Sequence, residues 1–186
     1  MTAPLTRTPG TSEVADSSLG HMMVVGGTFR DWADLGDDRW NALVEELGAT
    51  VAAAGAAWLT LRAYEPGDDA VELATWHRTV GTCEVIVDPC GDGRRRFAEA
   101  MGRLDPADEV NEVTVASVLY GPADSEPDLV LILGPPTQLP PSLVWELAYA
   151  ELVFVPATWQ QLAREHVVDA IADFAGRRRR FGGLET

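Results

Sequence analysis

Short apolar runs without alternating polar residues recur along this chain, and they constrain its fold more than any other feature. They predict strands at Met22–Val25, Trp58–Ala63, Glu84–Asp88, Val113–Tyr120, Leu129–Leu133 and Leu152–Val155. Amphipathic patterns between them predict helices at Asp37–Ala54, Asp69–His77, Gly93–Leu104, Ser142–Tyr149 and Thr158–Phe174. Strands without polar alternation, separated by helices, are typical of a parallel sheet covered on both faces. We therefore predict an α/β fold, with a single mostly parallel sheet flanked by helices.

The composition excludes several classes of function. The chain has 186 residues and a formal net charge of -15, which argues against nucleic acid or an anionic membrane surface as its main partner. Its two cysteines are too few for a disulfide framework, and no apolar run approaches the roughly 18 residues of a membrane span. Residues 1–19 are rich in Thr, Ser and Pro and are predicted to be a disordered leader. We expect a cytoplasmic protein with a domain over residues 20–176 and a tail over 177–186.

Ligands of parallel α/β sheets bind beyond the carboxyl ends of the strands, so the loops after Val25, Ala63, Val87 and Leu133 are candidate sites. The first loop contains Gly26 and Gly27, which can form a tight turn or present N–H groups to a phosphate. The Arg94–Arg96 run opens a predicted helix, as a solvated helix start or an anion site. The histidines, at positions 21, 77 and 166, have no metal-ligand spacing, so no metal is expected to bind this chain.

The carboxyl-terminal segment carries the sharpest motif. A predicted helix ends in four arginines, Arg177–Arg180, which are followed by Phe181, Gly182 and Gly183. Cations at a helix C-terminus are favoured by the helix dipole, which is one explanation of the run. Closely packed like charges also repel, and an anionic partner would relieve that repulsion. The glycines can expose N–H groups to phosphate oxygens. The residues alone leave both explanations open.

The carboxyl-terminal third resembles cis-prenyltransferases, the family of undecaprenyl and dehydrodolichyl diphosphate synthases. The resemblance rests on Asp128-Leu129-Val130-Leu131, on Leu143 to Phe154 with its Trp145-Glu146-Leu147-Ala148-Tyr149-Ala150-Glu151 string, on Trp159, and on Arg177 to Gly183. His21 before an apolar strand, Trp32-Ala33, and Leu59-Thr60-Leu61 with Ala63-Tyr64 agree with the family's amino-terminal blocks. The similarity covers residues 20–186 and is strongest at the end. It implies a shortened cis-prenyltransferase fold.

The departures from the family pattern fall on its substrate sites. The aspartate that holds the allylic magnesium diphosphate in the family is replaced by Gly27. The two arginines and the serine that hold the homoallylic diphosphate correspond to Ile132, Gln138 and Pro140. Charge-assisted contacts to diphosphate are worth roughly 1.5–3 kcal/mol each. We therefore expect no catalytic residue and no metal site in this chain.

The resemblance implies a role for the tail in a second subunit. Cis-prenyltransferases are dimers in which the tail of one subunit reaches the active site of the other. Some are heteromers with a non-catalytic subunit of the Nogo-B receptor type. By this resemblance, Arg177, Arg179, Arg180, Gly182 and Gly183 would contact isopentenyl and allylic diphosphates bound with Mg²⁺ in a catalytic homologue. Residues expected at the dimer interface are Trp145, Leu147, Tyr149, Glu151 and Phe181. Any membrane association would pass through that partner.

Two other hypotheses stay open. The chain can be a divergent stand-alone enzyme of specialised isoprenoid metabolism that carries out an irregular condensation or a cyclisation. That hypothesis needs replacement acids, and Asp31, Asp34, Asp68 and Asp88 lie in or near the expected loops. Alternatively, the chain is a non-enzymatic binding module on the same fold.

Overall fold

A computed structural model describes residues 19–65, 75–107 and 109–181, with backbone only at 178–181. Its strands are β1 (His21–Val25), β2 (Trp58–Arg62), β3 (Trp76–Val80), β4 (Cys83–Asp88), β5 (Leu129–Leu133) and β6 (Glu151–Val155). Its helices are α1 (Phe29–Ala33), α2 (Asp37–Ala53), α3 (Gly93–Arg103), α4 (Glu112–Tyr120) and α5 (Arg164–Phe181). Two short 3-10 helices cover Glu146–Ala148 and Trp159–Gln161.

The six strands form one sheet in the order β3-β4-β2-β1-β5-β6. All neighbouring pairs are parallel except β3 and β4, which form an antiparallel hairpin at the edge. The central strands β1 and β5 are buried along their whole length, which is why their sequences show no polar alternation. The predicted α/β fold with a mostly parallel sheet is confirmed.

Successive residues of the central strands supply two separate cores, because side chains alternate between the faces of a sheet. Met22 and Val24 pack on the face covered by α2 and α5. Met23 and Val25 pack on the opposite face, with residues of α3 and α4. The two cores hold the carboxyl ends of β1, β2 and β5 side by side, and the loops that leave these ends are brought together. None of the described helices is long and apolar enough to cross a membrane.

The predicted strand at Val113–Tyr120 is wrong, because this segment is helix α4. Its β-branched, apolar composition favours a strand, but a capping box starts a helix. The Asn111 side chain accepts a hydrogen bond from the Thr114 N–H at 3.0 Å, and the Thr114 hydroxyl accepts one from the Asn111 N–H at 3.0 Å.

The predicted helix at Asp69–His77 is wrong in its described part. Residues 69–74 lie outside the described residues, but Trp76 and His77 begin strand β3. A two-residue turn after Val80 joins β3 to β4, and Gly81 supplies the positive φ of 61° that such a turn favours. The hairpin adds the antiparallel edge strand that the sequence pattern did not predict.

Two further predictions need correction around the carboxyl-terminal segments. Only the three residues Glu146–Ala148 of the predicted Ser142–Tyr149 helix are helical, and the predicted helix from Thr158 is split into a 3-10 turn and α5. In α3, Met101 was predicted to face inward but is exposed. Arg96 is buried in the same helix. The predicted tail start, Arg177, lies inside α5.

Candidate functional site

The loops after β1, β2 and β5 enclose an open cleft of about 260 Å³ at the carboxyl ends of the strands. Its lining residues are Gly27, Thr28, Asp31, Tyr64, Glu65, Leu133, Gly134, Pro135 and Gln138. Two hydrogen bonds join the loops: the Tyr64 N–H donates to the Gly27 carbonyl at 2.8 Å, and the Tyr64 hydroxyl donates to the Gln138 carbonyl at 3.2 Å. These are three of the four loops that the sequence singled out.

Gly27 stands where the family resemblance expects an aspartate, and its surroundings favour glycine. Its φ is +64°, a region that other residues rarely adopt. A Cβ atom at this position would lie 2.9 Å from Cβ of Trp159, which is closer than real contacts allow. The loop is therefore built around glycine, and a larger side chain here would require both a strained backbone and a shift of Trp159.

Asp31 is used within its own loop. Thr28 caps α1 by accepting a hydrogen bond from the Asp31 N–H at 3.2 Å. In return, the Asp31 carboxylate accepts hydrogen bonds from the Thr28 N–H at 2.6 Å and hydroxyl at 2.8 Å. The bond from the Thr28 backbone, the largest influence, lowers the pKa of Asp31. This carboxylate caps a helix and does not reach into the cleft as an unpaired acid.

The positions that the family resemblance assigns to the homoallylic diphosphate site offer no cation. Ile132 is fully buried in the core beneath α3 and α4, and Pro140 is also buried. Gln138 reaches the cleft, where its carbonyl accepts the bond from Tyr64. The described lining contains two acids, Asp31 and Glu65, and no basic residue. A diphosphate in this cleft would meet like charge.

Two arginines lie beneath the cleft, but both are neutralised by acids of the same chain. Arg62, at the end of β2, donates from Nε to Asp88 Oδ2 at 3.1 Å and pairs through Nη1 with Glu146 Oε1. Arg96 of α3 joins the same acids, at 3.3 Å from Asp88 and 3.1 Å from Glu146. Its guanidinium carbon lies 5.1 Å from the centre of the Tyr120 ring. We call Arg62, Asp88, Arg96 and Glu146 the buried quartet.

The pKa values of Glu146, Arg62 and Arg96 depend on their burial and on their charged neighbours in the quartet. Burial alone would raise the pKa of Glu146, but attraction by Arg62 and then Arg96 outweighs it and lowers that pKa to about 2. Burial opposes the charge of Arg62 as well, yet Glu146 and Asp88 raise its pKa above the usual value. Burial, followed by repulsion from Arg62, lowers the pKa of Arg96. Glu146 stays ionised at neutral pH, so the quartet carries two positive and two negative charges.

Sequence reasoning missed the quartet, although one signal pointed to it. Arg62 ends a strand that is otherwise free of charge, and a charge buried in a sheet requires a partner.

The Arg94–Arg96 run does not form a free anion site. Asp92 Oδ1 caps α3 by accepting hydrogen bonds from the N–H groups of Arg94 at 2.9 Å and Arg95 at 3.1 Å. The helix start already has its anion.

Four of the five residues expected at a dimer interface lie in or beside the outer strand β6, and they are Trp145, Leu147, Tyr149 and Glu151. Leu147 is 39% exposed and Tyr149 is 84% exposed, while Trp145 is half-buried, stacks on Phe97 and donates to Glu126 at 2.9 Å. One carboxylate oxygen of Glu151, Oε2, is buried without a hydrogen-bond partner among the described residues. We call the surface formed by Val144, Leu147, Tyr149 and β6 the β6-edge surface.

The arginine run lies at the far end of α5. The helix begins nine residues after β6 and packs on α2, β5 and β6. Phe174 is its last buried side chain among the described residues. Its 18 residues span about 27 Å at 1.5 Å per residue. The Arg177 guanidinium pairs with Asp173 one turn earlier, at 2.6 Å. Gly182 and Gly183, and the side chains of Arg179, Arg180 and Phe181, lie outside the described residues.

The remaining candidates from the sequence do not form a reactive group. His21 is buried at the start of β1, where its ring contacts the Ser125 carbonyl at 2.8 Å and the Thr60 hydroxyl at 2.9 Å. Burial lowers the pKa of His21 to about 4. Asp34 is exposed, and Asp68 is not among the described residues. Across the described ranges, no cluster of three His, Cys, Asp or Glu side chains has the arrangement of a metal site.

Comparison with known proteins gives consistent results. Residues 92–182 match the prenyltransferase family model "Putative undecaprenyl diphosphate synthase". Isoprenyl transferase 1 of Streptomyces coelicolor is 45% identical over 96 residues, which are 50% of this chain and 34% of that protein. The bifunctional protein CrtB/UppS of the same species is 31% identical over 172 residues, 89% of this chain and 30% of that protein. The matched part thus spans about a third of the length of these relatives.

Two solved structures share the fold. A probable undecaprenyl diphosphate synthase from Campylobacter jejuni superposes with a TM-score of 0.59 and 19% identity, covering 89% of this chain and 99% of that one. Lavandulyl diphosphate synthase from Lavandula x intermedia, in complex with dimethylallyl diphosphate, gives a TM-score of 0.56 at 15% identity, covering 84% and 95%. At these identities, the likeness establishes the fold alone.

Proposed function

We propose that this chain is a non-catalytic subunit of a heteromeric cis-prenyltransferase, because residues 92–182 match the undecaprenyl diphosphate synthase family model and the fold is shared with a probable undecaprenyl diphosphate synthase. In this proposal a catalytic homologue binds the isopentenyl and allylic diphosphates with Mg²⁺. This chain donates Arg177, Arg179, Arg180, Gly182 and Gly183 to the partner's diphosphate site. Its own cleft performs no condensation.

The observation that carries the proposal is the charge of the cleft. The described lining includes Asp31 and Glu65 and no basic side chain. The nearest buried cations, Arg62 and Arg96, are held by Asp88 and Glu146. Releasing either arginine to a diphosphate would leave two buried carboxylates, Asp88 and Glu146, with one cation between them, which costs several kcal/mol. A chain with this cleft is poorly suited to bind either substrate itself.

The direction of α5 supports action in a second subunit. The helix starts near the carboxyl end of β6, and a helix that follows a parallel strand runs back across the sheet. Its last turn therefore lies about 27 Å from its start, away from this chain's own cleft. The arginine run therefore begins at the end of α5 that is remote from the local cleft. The exposed Leu147 and Tyr149 offer an apolar surface for the partner.

The test is a reconstitution of condensation. This chain is purified alone and then mixed with the full-length cis-prenyltransferase homologue of the same cell, and incorporation of isopentenyl diphosphate is measured with an allylic diphosphate and Mg²⁺. We expect no activity from the chain alone and a higher rate in the mixture than from the homologue alone. Loss of one charge-assisted diphosphate contact in Arg179→Ala should lower the mixture's rate about 10- to 100-fold.

The matched control is Arg164→Ala, which removes an exposed arginine from the opposite end of α5. It should leave the rate of the mixture unchanged. Full condensation activity of the isolated chain would contradict the proposal. So would a mixture whose rate is independent of this chain, or one that loses activity equally with Arg164→Ala and Arg179→Ala.

A further inference from the structure

A second cavity, of about 320 Å³, lies on the other side of α1 from the cleft. It is bounded by α1, the start of α2 and the adjoining ends of β3 and β4. Its lining residues are Phe29, Trp32, Ala33, Gly36, Asp37, Trp40, Trp76, Val87 and Pro89. We call it the tryptophan pocket. The residues expected to contact diphosphate do not line it.

Four of the nine residues that line the tryptophan pocket are aromatic. Trp32 and Trp40 have ring centres 5.3 Å apart, and both rings also pack on Trp159, at 5.0 and 5.9 Å. Trp76 meets Trp40 at an interplanar angle of 68° with centres 6.5 Å apart, so the two rings make a corner. Trp76 is 39% exposed, whereas Trp32 is buried. The inner wall is thus fixed by packing, while the outer wall is open to solvent.

The charge on the walls of the tryptophan pocket has one sign. Asp37, in the first turn of α2, is exposed and is the only charged residue in the described lining. An anion is favoured at this end of a helix, so the carboxylate is stable where it stands. An anionic ligand would meet repulsion from Asp37 and from the electron-rich ring faces. A cationic ligand would be attracted by both.

We propose that the tryptophan pocket binds a small organic cation with an apolar body, of the quaternary ammonium class. The apolar groups pack against Val87, Pro89 and Phe29, the positive charge faces the rings of Trp40 and Trp76, and Asp37 neutralises it. This inference goes beyond the proposed function, because it concerns neither the arginine tail nor the condensation of diphosphates. It depends on the corner between two rings and on a wall charge of a single sign.

The experiment compares two ligands of the same shape. Choline and its uncharged carbon analogue, 3,3-dimethylbutan-1-ol, are titrated into the full chain, and binding is followed by ligand-observed NMR. We expect choline to bind at least about fivefold more tightly than the alcohol, since cation–π attraction and Asp37 act on the charge alone. Equal affinity would overturn the proposal, because the pocket would then select apolar shape. The proposal would also be overturned if neither ligand bound at concentrations up to about 50 mM, which is roughly 50 times a dissociation constant of about 1 mM.

Three variants place the binding in the tryptophan pocket. Trp76→Leu keeps an apolar side chain on an edge strand but removes the ring, and it should weaken choline binding about 3- to 10-fold without changing binding of the alcohol. Asp37→Asn should weaken choline binding about 2- to 5-fold. Asp38→Asn is the matched control, because Asp38 shares the first turn of α2 but does not line the cavity. Equal losses in Asp37→Asn and Asp38→Asn would show a diffuse charge effect and would contradict the assigned site.

Discussion

The cleft at the carboxyl ends of the strands and the β6-edge surface use their side chains in opposite ways. Beneath the cleft, Arg62 and Arg96 are paired with acids of the same chain. At the β6-edge surface, Leu147 and Tyr149 are exposed, and an oxygen of Glu151 is buried without a partner among the described residues. Paired charges complete a folded core, whereas exposed apolar groups and an unsatisfied oxygen are typical of a surface that a second chain completes. The difference separates side chains that stabilise this chain from side chains that a partner would cover in the proposed complex.

Removal of Arg62 is expected to have the largest effect on stability, and it tests whether the buried quartet stabilises the fold. If the buried quartet is structural, Arg62→Met leaves Asp88 and Glu146 with one cation between them and should lower the free energy of unfolding by about 3–5 kcal/mol. Urea denaturation measures it. Arg78→Met is the control, because its pair with Glu45 is exposed and should be worth about 1 kcal/mol or less. A loss below about 1 kcal/mol in Arg62→Met would contradict a structural role for the buried quartet.

Gly27→Asp tests whether the cleft can be returned to the family pattern. The left-handed backbone and the contact with Trp159 should together destabilise the chain by about 3 kcal/mol, and no magnesium-dependent condensation should appear. Gly55→Asp isolates the backbone contribution, since Gly55 has a φ of +88° and nothing within 4 Å of the position of a Cβ. Its cost should be about 1 kcal/mol. A stable Gly27→Asp chain that condenses substrates would contradict the assignment of the cleft as inactive.

Much of the fold could be predicted from the sequence, whereas the quartet could not. Strands such as Leu129–Leu133 are buried on both faces, and their unbroken apolar runs show it. Val113–Tyr120 has the same kind of run, but the contacts of Asn111 with Thr114 decide its conformation. The partners in the quartet are far apart in sequence, as with Arg62 and Glu146, which are 84 positions apart. Hydrophobic periodicity does not encode such a pairing. The altered positions Gly27, Ile132 and Gln138 were identified by the family resemblance. The structure explains why glycine is favoured at position 27, where φ is positive and Trp159 lies close.

Acid is expected to lower the free energy of unfolding through protonation of Glu146 in the buried quartet. Its pKa falls from a usual value of 4.5 to about 2 in the folded chain, so its stabilisation is fully present above pH 4.5 and is lost as the pH falls toward 2. Between pH 5 and pH 3 this group should account for a loss of about 2 kcal/mol in the free energy of unfolding. Urea titrations of the wild type and Glu146→Gln measure it, since the variant lacks that part of the slope. Identical slopes would show that Glu146 is not held ionised by the arginines.

The smallest effect on stability, and the sharpest on association, is expected at the β6-edge surface. Tyr149→Ala and Leu147→Ala should each change the free energy of unfolding by about 0.5 kcal/mol or less, because both side chains are largely solvated in the isolated chain. If a partner covers them, the same changes should weaken its binding about 10-fold or more, as measured by sedimentation of the mixture. Val113→Ala, at an exposed apolar residue of α4, should alter neither quantity. Weakened association with unchanged stability would distinguish a residue that contacts a second chain from one that stabilises the core of its own chain.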